Sequence, residues 1–166
     1  MSRAVHEFRD PTRFVVGTVG QPGERVFFVQ ASEAGRTITV RCEKQQAKIL
    51  ADRMVDLLDE IAAKADVPVP PPGGEIDDLG PLEMPVDPEF TVGTMGLGWD
   101  GEKGRVVVEL LAMDPDATDE SVVLSDDANA PDALRVFITP RRARQFAIRS
   151  DRVVSAGRAP CPLCGD

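Results

Sequence analysis

Apolar side chains recur at every third or fourth position between Glu43 and Lys64. The positions that share this spacing are Ala47, Leu50, Ala51, Met54, Leu57, Leu58 and Ile61. Residues three and four apart lie on one face of an α-helix. The spacing therefore predicts an amphipathic helix with a single buried stripe.

A second helix is predicted near the end of the chain. Thr139 is a suitable N-cap, and Pro140 loses no hydrogen bond as the first helical residue. Gly157 would end this helix. Its buried face is predicted to consist of Ala143, Phe146, Ala147 and Val154.

Short runs rich in β-branched and aromatic residues predict strands. Two of them are FVVGTVG and FTVGTMG, which are identical at five of seven positions. A turn and a second strand follow each, and a third strand leads into each helix. In chain order, the six predicted strands begin at Phe14, Arg25, Ile38, Phe90, Arg105 and Leu134.

The same order of elements occurs twice, which indicates an internal duplication. The first strands match at an offset of 76 residues, the second at 80 and the third strands and helices at 96. At the last offset Val40 falls on Val136 and Arg53 on Arg149. We therefore predict an α+β fold in which a βββα unit is duplicated. Its two helices and two antiparallel sheets, or one joined sheet or barrel, would surround a pseudo-twofold axis.

We expect one domain, residues 1–166, made of two repeats. Its parts are repeat one (10–65), a proline-rich connector (66–89), repeat two (90–157) and a CxxC tail (158–166). Seven prolines and three glycines among the connector's 24 residues predict an extended segment. A second acidic loop, 114–133, contains a VVL core that could add an edge strand.

Charge is distributed unevenly along the chain. The net charge is -9, yet residues 75–132 carry 2 basic and 16 acidic side chains, a local charge of -14. Such a field repels phosphates, so nucleic acid is disfavoured as a ligand of the whole protein. The apolar runs are too short for a membrane span, and MSRAVHEFRD lacks the features of a signal peptide. Three cysteines, an odd number, favour a reducing compartment, and we expect a cytoplasmic protein.

The two glycine motifs resemble phosphate-binding loops only in their letters. A phosphate loop precedes the N-terminus of a helix, whereas each motif here precedes another strand. We therefore expect their glycines to allow close backbone approach or a bulge.

The PCPLCGD tail places Cys161 and Cys164 at the spacing of a zinc-knuckle half-site. Four ligands are needed, and the other soft ligands are Cys42, predicted to be a buried apolar residue, and His6, predicted to lie in a mobile terminus. We expect the metal site to be incomplete in this chain and zinc to bind only where further ligands are supplied.

The helix PRRARQFAIRSDR carries five arginines, of which Arg141, Arg142, Arg144 and Arg149 are the predicted partner-binding residues. They could contact phosphate or an acidic protein, or form a solvated face that balances the acidic loops. The one histidine, His6, provides no Ser-His-Asp or Cys-His arrangement, so no catalytic residue is assigned and an enzyme is disfavoured.

TPRRARQFAIRSDRVVSAGRAPCPLCGD, residues 139–166, together with FVVGTVG and the proline-rich middle, resembles an uncharacterised, ParJ-like actinobacterial family. The resemblance implies a partner of the ParA type, a chromosome-segregation ATPase, and a tail that completes a zinc site with a further histidine and cysteine. We therefore expect a non-enzymatic protein-interaction adaptor. The alternatives are a nucleic-acid-associated zinc-knuckle protein and an enzyme of unknown substrate.

Overall fold

The computed structural model describes residues 4–21, 23–65, 67–71, 76, 78–113 and 131–156. The VVL core of the second acidic loop, which was expected to add an edge strand, and the CxxC tail lie outside these residues. In chain order the elements are β1 Val5–Phe8, β2 Arg13–Val19, β3 Val26–Glu33, β4 Arg36–Cys42, α1 Lys44–Lys64, β5 Val92–Asp100, β6 Arg105–Ala112, β7 Ala133–Ile138 and α2 Pro140–Ala156.

The strands form two sheets, one in the order β1-β7-β6-β5 and one in the order β2-β3-β4. The fold class is confirmed as α+β, with a strand order consistent with a duplicated βββα arrangement. β1 was not predicted. It pairs in parallel with β7, so that His6 lies opposite Leu134. The expectation that His6 belongs to a mobile terminus is therefore wrong, because its backbone is part of the sheet.

The segment before β5 mirrors β1. The Arg41 N–H donates to the Phe90 carbonyl at 2.9 Å, and the Glu89 N–H donates to the Thr39 carbonyl at 2.8 Å. Thr91 forms a parallel bridge with Arg41 of β4. The segment that precedes the first strand of each repeat thus pairs with the last strand of the other repeat.

Both helices form as the sequence predicts. α1 begins at Lys44, where the Glu43 N–H donates to Gln46 Oε1 at 2.8 Å. The N-cap of α2 is Thr139, whose Oγ1 accepts the Arg142 N–H at 3.1 Å. The predicted stripes are buried, including Ala47 and Ala51 on α1 and Ala143 and Ala147 on α2, except that Leu57 of α1 is only half-buried. α1 and α2 pack against each other.

Each helix also packs on the first strand of the other repeat. The rings of Phe14 in β2 and Phe146 in α2 are stacked with centroids 4.6 Å apart. Gln46 Nε2 of α1 donates to the Val92 carbonyl at 3.0 Å, and Arg149 Nε of α2 donates to the Val16 carbonyl at 2.9 Å. One hydrophobic core therefore joins both sheets and both helices.

The offset predicted for the middle strands needs a correction of one residue. Phe27 lies opposite Cys42 in β3–β4, and Val106 lies opposite Ile138 in β6–β7. These pairs set the offset at 79 rather than 80. Because successive side chains of a strand point to opposite faces, the predicted offset would have exchanged the core face for the outer face.

Candidate functional site

Arg149, predicted from the sequence to be a partner-binding residue, lies inside the protein. Its side chain is only 5% exposed. Besides its bond to Val16, it donates from Nη1 to the Asp78 carbonyl and from Nη2 to the Gly80 carbonyl, both at 2.8 Å. Its guanidinium therefore ties the proline-rich connector to α2 and β2.

Arg144 is buried in the same manner. It is 3% exposed, and its Nε donates to the Pro70 carbonyl at 3.1 Å. The prediction that Arg144 and Arg149 belong to an exposed surface is wrong, because the connector covers this side of α2. Of the four predicted arginines, Arg141 is exposed and Arg142 is half-buried.

Arg141 and Arg142 line a small cleft at the start of α2, of about 70 Å³. Arg142 also donates from Nη1 to the Thr12 carbonyl at 2.8 Å. The other polar residues of the cleft are Arg13, Asp78, Thr139, Gln145 and Arg149. The cleft therefore lies between the beginning of α2, β2 and the connector.

Asp78 is the carboxylate of this cleft. Arg13 donates to it from Nε at 2.6 Å and from Nη2 at 3.2 Å, and Arg149 Nη1 lies 3.4 Å from Oδ1. The hydrogen bond from Arg13 is the main cause that holds the pKa of Asp78 below its ordinary value; burial opposes it, and the Gly80 N–H and the charge of Arg149 reinforce it. Burial lowers the pKa of Arg149, and Asp78 opposes that shift.

The connector is fixed further along by Gln30 and Leu82. The Gln30 amide pairs with the backbone of Glu83. Leu82 is 5% exposed and packs on Val15 and Phe28, in a second small core on the outer face of the β2-β3-β4 sheet. We call residues 78–84 the strap. The large apolar side chains of the strap that point away from these anchors are exposed: Leu79, between Asp78 and Gly80, is 63% exposed, and Met84, directly after Glu83, is 70% exposed.

The two glycine motifs have the structural role that was expected of them. A Cβ on Gly17 would lie 2.5 Å from the Leu82 side chain, so this glycine makes room for the strap. Gly93 lies at the register shift between Val92 and Thr94, where a Cβ would be 2.8 Å from the Met113 Cα. The expectation of close approach and of a bulge is confirmed.

A second cleft, which was not predicted from the sequence, lies where β3 begins and β4 ends, and its volume is about 260 Å³. We call it the basic cleft; its lining residues are Gly23, Arg25, Val26, Phe27, Arg41, Cys42, Glu43 and Lys44. As predicted, Cys42 is buried, and burial together with Glu43 raises the pKa of its thiol to about 12. In the sequence Arg25 precedes β3 directly, and Arg41 and Lys44 lie at the end of β4 and the start of α1, but only the pairing of Phe27 with Cys42 brings these cations together.

The predicted zinc ligands Cys161 and Cys164 lie outside the described residues. Within the described ranges, no group of three or more histidine, cysteine, aspartate or glutamate side chains could hold a metal ion. No described helix has the length and apolar character needed to cross a membrane.

Comparison with known proteins identifies the family of this chain but assigns it no activity. No curated protein and no solved structure matches this chain. The sequence profile of a family described as a protein of unknown function (DUF3090) matches residues 6–166. Because this match spans nearly all of the 166 residues, the chain belongs to the DUF3090 family.

Proposed function

We propose that the protein is a non-enzymatic adaptor that binds a protein partner through Leu79 of the strap together with Arg141 and Arg142. The observation that carries this proposal is the 63% exposure of Leu79 on an anchored segment. Its neighbours Asp78 and Gly80 are both held by Arg13 and Arg149. An exposed apolar side chain on a fixed backbone can be buried by a partner at little cost in conformational entropy.

The charge beside Leu79 indicates the kind of partner. Asp78 lines the same cleft as Arg141 and Arg142, and Arg13 and Arg149 compensate its carboxylate. The two arginines at the start of α2 add positive charge beside Leu79 and favour an acidic protein surface, since guanidinium groups bind carboxylates in a bidentate geometry. Arginine beside an apolar anchor is also a common composition of interface hot spots.

The resemblance to the ParJ-like family supports a ParA-type ATPase as this partner. The nucleic-acid alternative is less favoured, because Arg144 and Arg149 are buried and bonded within the chain. A phosphate-binding surface on α2 would therefore have only part of the positive charge that the sequence suggested. Zinc binding by Cys161 and Cys164 stays a prediction, which metal analysis of the purified protein would test.

Binding of the purified ParA-type ATPase from the same organism to the immobilised protein tests the proposal. We expect the double variant Arg141→Glu/Arg142→Glu and the single variant Leu79→Asp each to weaken binding by about tenfold or more. Matched charge reversals at exposed helical positions, Arg53→Glu and Arg152→Glu, should change binding by less than about twofold.

Two results would contradict the proposal. Full affinity in both surface variants, with folding checked by circular dichroism, would show that the surface is the wrong one. Absence of binding by the unaltered protein would exclude the ParA-type ATPase as partner.

A further inference from the structure

The basic cleft brings three cationic side chains around one cavity. Arg25, Arg41 and Lys44 line it and Glu43 contributes the single carboxylate, so three positive charges and one negative charge give the lining a formal charge of +2. The Cys42 thiol is protonated at neutral pH and adds no negative charge. This is a local reversal of sign in a protein whose net charge is -9.

These cations have no acceptors within the described part of the chain. Arg25 is half-buried, and its Nε is shielded from solvent without a hydrogen-bond partner. The side chains of Arg41 and Lys44 form no ion pair or hydrogen bond with any described residue. A shielded N–H donor without an acceptor costs stability, and like charges on neighbouring strands repel one another. An anion in the cleft would remove both penalties.

Repeat two shows that the fold does not require these cations. The pairing registers make Gly104, Phe137 and Pro140 the counterparts of Arg25, Arg41 and Lys44. There Lys103 lies over the Phe137 ring, 5.2 Å from its centroid. The corresponding end of the β6–β7 pair thus forms without cations at these three positions. Their clustering at the end of the β3–β4 pair is therefore a specific feature of repeat one.

We propose that the basic cleft binds a phosphate-bearing small molecule through Arg25, Arg41 and Lys44. The cavity of about 260 Å³ is smaller than the usual pocket for a drug-sized ligand. It therefore suits a phosphate or pyrophosphate group, either free or at the end of a small metabolite. Arg25 and Arg41 supply fork-shaped donors for the oxygens, and Lys44 supplies a point charge at the first turn of α1.

Isothermal titration of the full chain at low ionic strength, with inorganic phosphate, pyrophosphate and ADP in separate runs, tests the proposal. We expect binding that weakens as salt is added, and a loss of affinity of about tenfold in each of Arg25→Gln and Arg41→Gln. A lower Kd for ADP than for pyrophosphate would identify a nucleotide as the source of the group, and the reverse order would identify the free anion.

Two matched controls, Arg53→Gln and Arg105→Gln, each remove one positive charge outside the cleft. Arg53 lies on the exposed face of α1, and Arg105 lies in β6, where its guanidinium donates to the carbonyls of Lys103 and Gly104. Both should bind the probes as the unaltered protein does. Absence of heat with all three probes, or equal weakening in the controls and the cleft variants, would overturn the proposal.

Arg41 is exposed, so Arg41→Gln keeps the test valid if Arg25→Gln fails to fold. The cleft shares no residue with the surface of Leu79, Arg141 and Arg142. This inference and the proposed adaptor function therefore fail or succeed separately.

Discussion

The side-chain amide of Gln30 pairs with the backbone of Glu83 as a neighbouring strand would. Gln30 Oε1 accepts the Glu83 N–H at 2.8 Å, and Nε2 donates to the Glu83 carbonyl at 3.2 Å. Nε2 also donates to Thr39 Oγ1 at 3.0 Å. One buried amide therefore satisfies both backbone groups of a residue 53 positions further along the chain.

Replacing Gln30 by Leu should release this part of the strap. The change leaves the Glu83 N–H and carbonyl without their partner, and we expect a loss of about 1–3 kcal/mol in the free energy of unfolding. Denaturant unfolding measures it, and limited proteolysis should show faster cleavage between residues 78 and 88. Gln45→Leu, at an exposed position of α1, should change neither measurement. Equal stability of both variants would show that the pairing contributes nothing.

Gly17→Ala should be destabilising although alanine is ordinarily tolerated in a strand. The new methyl group would meet the Leu82 side chain at 2.5 Å, and overpacking of this kind costs about 1–3 kcal/mol. Gly98→Ala in β5 is the matched control, since nothing lies within 4 Å of its Cβ position. In the background Leu82→Ala the cost of Gly17→Ala should largely disappear, and a persistent cost would refute this contact as the cause.

Asp78→Asn should lower stability at neutral pH and have little effect in acid. The pKa of Asp78 is depressed in the folded state, mainly by the hydrogen bond from Arg13. The folded protein therefore binds this proton less readily than the unfolded chain does. Its contribution is complete above the ordinary aspartate pKa of about 3.9 and is lost as the pH falls through the lower folded-state pKa.

Thermal unfolding of the Asp78→Asn variant at pH 7 and at pH 2–3 measures this difference. Asp59→Asn, at an exposed position of α1, is the matched control and should change the stability at pH 7 by less than about 0.5 kcal/mol. A stability difference for Asp78→Asn that stays constant across this pH range would contradict the assignment.

Cys42 should resist alkylation in the native protein. Cys42 is 5% exposed, so a reagent has little access to its sulfur atom. Its thiol pKa is raised to about 12, so only a small fraction is the reactive thiolate at pH 8. Iodoacetamide labelling followed by peptide mass spectrometry should modify Cys42 only after denaturant is added. Labelling of Cys42 under native conditions at the rate of a free thiol would disprove its burial.

The helices and the glycine roles followed from the sequence because periodicity and the neighbouring elements determine them locally. The register of the two middle strands could not be predicted in this way. RVFFVQ and RVVVEL are apolar on both faces, so the alternation of apolar and polar residues does not show which face is buried. Phe28 can be apolar on the outer face because Leu82 covers it there. Such coverage comes from a distant segment and leaves no mark in the strand itself.

Arg53 and Arg149 show why the arginines of the candidate site were misplaced. The repeats align these two residues, yet Arg53 is exposed and Arg149 is buried. The difference arises from the connector, whose Asp78 and Gly80 lie against α2. No pattern within PRRARQFAIRSDR reveals which of its arginines a segment about 70 residues away will cover.

The reciprocal pairing of β1 with β7, and of residues 89–91 with β4, has a consequence for how each half of the chain could be completed. A single repeat would leave its last strand without the parallel neighbour that the other repeat now supplies. Two separate copies could each donate their leading segment to the other and so close as a strand-swapped homodimer. In this chain the proline-rich connector keeps both leading segments in one molecule, so the same exchange of segments needs no second subunit.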